Sequence, residues 1–122
     1  MKPAILIVDH GSRRPEANTL VTQLAERVRR RVPDRVVEVA HMELAEPTVA
    51  QGLAACAEAG ASQVVVHPYF LGPGRHTTQS IPQLVEEAAR TLPGLRIRIS
   101  EPLGLHESLV DVVLARVDQA AP

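Results

Sequence analysis

The stretch Ala4-Ile5-Leu6-Ile7-Val8-Asp9-His10-Gly11-Ser12-Arg13-Arg14 decides the fold. Five consecutive aliphatic residues read as a strand buried on both faces, the habit of a parallel sheet covered by helices. The abrupt change at Asp9 to polar residues and a glycine marks a sharp turn at the strand's carboxyl end, with the His10 side chain offered upward. Pro15 then opens a helix. Its apolar residues at Ala17, Leu20, Val21, Leu24, Val28 and Val32 follow the helical period up to Pro33-Asp34.

The same alternation repeats along the chain. Val36 to Met42 is a second strand, less apolar because of Glu38 and His41, and belongs at an edge. Pro47 and Thr48 start a helix that Gly60 stops. Val64-Val65-Val66 is again wholly aliphatic and therefore central. Tyr69 to Thr78, rich in Gly and Pro, reads as a loop, followed by a helical stripe of Ile81, Leu84, Val85, Ala88 and Leu92. Leu95 to Ile99 alternates apolar residues with Arg96 and Arg98, as an edge strand does. A last helix carries Leu109, Val110, Val113, Leu114 and Val117. Four βα repeats imply an α/β, three-layer sandwich with a four-stranded parallel sheet in the order 2-1-3-4, and residues 1–122 read as a single domain.

Composition agrees. Of the 122 residues, 45% are hydrophobic but only 2% aromatic, so aliphatic side chains must fill the core. The 13 basic residues nearly balance 14 acidic ones, which argues against nucleic acid as a partner. The apolar run before Asp9 is too short for a signal segment or membrane span, and the lone Cys56 cannot close an internal disulfide. A cytoplasmic, membrane-free protein is expected. The Arg27, Arg29, Arg30 and Arg31 cluster reads as a solvated helix face.

In open parallel sheets ligands bind beyond the carboxyl ends of the strands. There this sequence places Asp9 to Arg14, then His41, Glu43 and Glu46, then His67 with Arg75-His76, and finally Glu101 and His106, so all five histidines fall at one rim. Imidazole with carboxylate suits a divalent transition metal, and few ligands with open positions suit an ion to be passed on. His10 and His76 are the favoured working residues. Gly72 and Gly74 in LGPGRH permit close approach of a ligand to the backbone, and Pro73 stiffens the loop. Glu43 and Glu46 read equally as ligands or as caps of the following helix; His41 and His67 read as hydrogen-bonded structural imidazoles. Arg13, Arg14 and Arg75 suit a ligand with several carboxylates.

Three segments, LIVDHGSRRPEAN (residues 6–18), HMELAEPTV (41–49) and HPYFLGPGRHTTQSIP (67–82), together resemble the small single-lobe cobalt and iron chelatases that act on sirohydrochlorin, within the class II chelatase superfamily and its flavodoxin-like lobes. The resemblance implies insertion of a divalent metal (cobalt, iron or nickel, as substrate, with no tightly bound cofactor) into a tetrapyrrole with eight carboxylate arms, on the way to cobalamin or siroheme. It implies that His10 and His76 bind metal and accept pyrrole protons, with Glu43 a further ligand. Ser12, Arg13, Arg14, Glu46, Leu71, Gly72, Pro73, Gly74 and Arg75 would contact substrate. Larger relatives have two lobes in one chain, so a single lobe implies a homodimer with the macrocycle in the cleft. Asp9 and His67 stand where the family pattern has small or apolar residues, and Ser80 where an acid is common. A non-catalytic metal or tetrapyrrole carrier would use the same histidines. A histidine-type phosphatase would need an arginine where Asp9 stands.

Overall fold

A computed structural model describes residues 2–122, without the side chains of His76 and Thr77. Strand β1 (Lys2–Asp9) leads into α1 (Pro15–Arg31), then β2 (Val36–His41), α2 (Val49–Glu58) and β3 (Ala61–Pro68). A π-helical turn (His76–Ser80) runs directly into α3 (Ile81–Ala89), and β4 (Arg96–Ile99) and α4 (Glu107–Ala120) complete the order. The four strands are parallel in the order β2-β1-β3-β4, as the patterning implied. The loop expected over residues 69–78 is shorter, because helical backbone begins at its last residues.

The sheet is covered unequally. On one face Leu6, Val8, Val64 and Val66 pack against Val49, Leu53 and Cys56 of α2 and Ile81, Val85 and Ala88 of α3. Helix α2 lies so close that a Cβ on Gly52 would come within 2.7 Å of Leu6 Cδ1. Burial, with Glu38 adding to it, pushes the Cys56 thiol up to about 12, so it is an inert core residue as expected.

On the other face α1 covers only the β2–β1 half, where Val21 and Ala25 meet Ile7 and Val37. Two expectations change here. Ala17 and Leu20, counted in the α1 stripe, face solvent, and the helix buries Val21 and Ala25 instead. Val65, in a strand aliphatic enough to be buried on both sides, is 43% exposed, and α4 buries none of its residues. No described helix is long and apolar enough to cross a membrane.

Candidate active site

The β1–α1 turn is built around one glycine. Gly11 has φ +94°, and a Cβ there would lie 1.9 Å from the Glu43 carbonyl oxygen, so the chain can pass beneath the β2 loop only without a side chain. Two hydrogen bonds extend the β1–β2 pairing past the strand ends: Met42 N donates to the Asp9 carbonyl (2.9 Å) and Glu43 N to that of His10 (3.0 Å). Ladder geometry thus delivers Glu43 beside His10.

The His10 Nδ1–H donates to the Gly11 carbonyl at 2.9 Å, which puts the ring's lone pair on Nε2. Nε2 lies 3.6 Å from Glu43 Oε1, with the two side chains 42% and 48% exposed. An oriented imidazole nitrogen and a carboxylate, side by side and open to solvent, can offer one N and one O ligand to a cation or exchange a proton.

Beneath this pair lies a second one. His41, 2% exposed, donates from Nδ1 to Asp9 Oδ1 at 2.6 Å, and its backbone N–H donates to the Pro47 carbonyl. The structural reading of His41 holds, and Asp9, the departure from the family pattern, is its partner.

Asn18 is a residue that sequence reasoning missed. Its side-chain oxygen accepts from Ser12 N (2.9 Å) while its amide donates to the Ser12 carbonyl (2.8 Å). The Ser12 hydroxyl accepts from Arg14 N (3.0 Å), so the residues before α1 are pinned and Arg13 and Arg14 project into solvent. The only signal was a polar residue on the first turn of a helix that comes after a Gly-Ser turn.

Glu43 and Glu46 separate in role. Helix α2 starts at Val49, two residues after Pro47, and its cap is Thr48, in a reciprocal capping box with Gln51. Glu46 supports that box by accepting from Gln51 Nε2 (3.0 Å); Glu43 faces His10.

The segment after β3 is the opposite of the β1 turn. Leu71 is 76% exposed, Pro73, Gly74 and Arg75 are exposed, and a Cβ at Gly72 or Gly74 would meet nothing within 4 Å. His76 opens the π-helical turn, but its side chain lies outside the described residues, and with it the expected meeting with His10. His67 donates from Nδ1 to Ser100 Oγ (2.9 Å), whose hydroxyl donates to the Glu101 carbonyl (3.0 Å). Burial pushes the His67 imidazole below its ordinary value, with a hydrogen bond to the Glu101 backbone opposing. The His106 ring caps α4 by accepting from Ser108 N (3.1 Å). Among the described residues no three His, Cys, Asp or Glu side chains gather as a metal site.

The fold and site thus define a parallel α/β lobe with an imidazole–carboxylate pair at the carboxyl rim of its sheet. The CbiX family model matches residues 4–120, and the chain belongs to the CbiX family. It is 44% identical over 113 residues to the chloroplastic sirohydrochlorin ferrochelatase of Arabidopsis thaliana, covering 93% of this chain and 50% of that protein. To the sirohydrochlorin cobaltochelatase of Methanococcus maripaludis it is 31% identical over 140 residues, covering 94% and 97%. The sirohydrochlorin chelatase SirB of Bacillus subtilis subspecies spizizenii, solved with cobalt, superposes with a TM-score of 0.90 at 36% identity, over 99% of this chain and 52% of that one. The chain therefore spans about half the length of two of these relatives and nearly all of the third.

Proposed function

We propose that the chain, over residues 1–122, is one lobe of a sirohydrochlorin chelatase that inserts a divalent metal into the macrocycle. The observation that carries this reading is the His10 ring, oriented by the Gly11 carbonyl so that Nε2 faces Glu43 Oε1. Its relatives named sirohydrochlorin ferrochelatase and cobaltochelatase support it.

A pyrrole N–H is a very weak acid, so insertion needs a base of near-neutral pKa beside the arriving cation. His10 and His76 take those protons and, with Glu43, hold cobalt, iron or nickel loosely enough to release it to four macrocycle nitrogens. Ser12, Arg13, Arg14, Glu46 and the residues 71–75 contact the substrate, the arginines pairing with its carboxylates. For the substrate this is an exposed rim: the hollow beside Glu43 and Glu87 is only about 280 Å³, at the low end of ligand pockets, roughly 300–1,000 Å³. Two copies closing a shared cleft would remove that shortfall. A cytoplasmic setting belongs to the same proposal, supported by the unpaired, buried Cys56.

Anaerobic mixing with sirohydrochlorin and Co²⁺, Fe²⁺ or Ni²⁺, followed by absorbance, tests the reading. Insertion should exceed the protein-free rate, and His10→Ala should lower it by about 10²–10⁴-fold with the fold retained. Metal or tetrapyrrole binding without faster insertion would make the protein a carrier instead.

A further inference from the structure

The turn after β1 contains a peptide plane that is bonded on both sides. A trans peptide points its carbonyl and its N–H in opposite directions. In the plane that joins Gly11 to Ser12, the carbonyl accepts from His10 Nδ1 at 2.9 Å, and the N–H donates to Asn18 Oδ1, also at 2.9 Å. The carbonyl that orients the His10 ring is thus one edge of a rigid unit whose other edge is held from the start of α1. Residues 13–17, 19 and 20 are exposed, whereas Asn18 between them is half-buried against the turn.

That plane needs a hold from outside. Gly11, at φ +94°, has no Cβ to restrain the rotation of the peptide that follows it. Among the described residues the β1–β2 hydrogen bonds end one peptide earlier, with Glu43 N on the His10 carbonyl. Asn18 supplies the missing restraint twice over. Its Nδ2 donates to the Ser12 carbonyl at 2.8 Å, so a single side chain fixes the peptide planes on both sides of the Ser12 Cα. The two partners also settle which end of the amide is oxygen, since a backbone N–H only donates and a carbonyl only accepts.

The consequence is chemical. A carbonyl beside Nδ1 makes that nitrogen the N–H and leaves the ring's lone pair on Nε2, 3.6 Å from Glu43 Oε1. Turned over, the same plane would present the Ser12 N–H to the ring. Nδ1 would then be the acceptor and Nε2 would carry the hydrogen, with no lone pair left for a cation or a proton. We propose that Asn18 is a positioning residue for His10: by holding the peptide between Gly11 and Ser12, it selects the ring tautomer whose free nitrogen faces Glu43. The use of that nitrogen on a metal ion and a pyrrole proton rests on the chelatase reading; the choice of tautomer does not.

Nitrogen-15 NMR of the histidine rings in the metal-free chain tests the selection, at roughly pH 8, where an ordinary imidazole is neutral. The His10 signal, recognised by its loss in His10→Ala, should show mainly Nδ1–H in the wild type. Asn18→Leu removes both bonds at similar size. It should shift the ring toward Nε2–H and lower the affinity for Co²⁺ alone, read by calorimetry, about 10–100-fold. Asn18→Asp keeps an acceptor for Ser12 N and should retain the wild-type tautomer and most of the affinity. Should Asn18→Leu fail to fold, Asn18→Ser, too short to reach the plane, takes its place. A mainly Nε2–H ring in the wild type would overturn the proposal whatever the variants do. So would an unchanged tautomer and affinity without the Asn18 bonds, or equal losses with and without an acceptor at position 18. Insertion no faster than the protein-free rate, with the tautomer still dependent on Asn18, would sink the chelatase reading alone.

Discussion

The turn after β1 and the segment after β3 reach the same rim by different means. In the first, Gly11 is forced by a neighbouring carbonyl, Ser12 is clamped by Asn18, and His10 is oriented by a backbone oxygen. In the second, Gly72 and Gly74 have open space where a Cβ would go, and Leu71 stands in solvent. The fold itself demands glycine at position 11 and not at 72 or 74. On the proposed function, small residues after β3 serve the ligand's approach, so one side of the rim is preorganised for the ion and the other left for the macrocycle.

Gly11→Ala breaks this comparison most directly. Positive φ and the blocked Cβ together should cost about 3 kcal/mol or more, whereas Gly74→Ala should stay within about 0.5 kcal/mol. Denaturant midpoints measure both, and equal losses would mean that the two loops are constrained alike. A smaller effect is expected under the turn. His41→Leu leaves the Asp9 carboxylate without its imidazole partner and should cost about 2–3 kcal/mol, with Asp9→Asn partly restoring stability in the double variant. Failure of that rescue would mean His41 acts through packing alone.

The smallest effect lies on the β3 side and concerns pH. His67 binds its proton less readily folded than unfolded, because burial disfavours the imidazolium. Above the unfolded value of about 6.5 both states are neutral there, so nothing is lost. As pH falls through that value the unfolded chain takes up a proton that the folded one resists, and stability declines. His67→Gln should flatten this part of the Tm profile between pH 7 and 5. An unchanged slope would assign the acid sensitivity elsewhere.

Much of this was legible in residue patterns. Aliphatic runs marked two central strands and interspersed polar residues two edges, because flanking strands leave little room for charge, yet the open face of β3 at Val65 was not legible. The rim was legible because the residues that succeed each strand in the chain are also its neighbours in space. Capping of α2 by Thr48 with Gln51 could have been read from the spacing, yet Pro47 drew the start two residues early. Partners outside the helix and strand periods could not be read: the Asp9–His41 pair spans β1 and β2, and Asn18 reaches back from a helix to the turn before it.

The sequence by itself determined the sheet order and the polar rim, since both arise from local periodicity and hydrophobicity. Only the tertiary structure decided that Glu43 faces His10 while Glu46 serves a cap, because that depends on the β1–β2 register. It alone decided that α4, amphipathic like α1, finds no sheet beneath it. Amphipathicity records that a face needs cover; only the path of the connecting residues determines which surface supplies it.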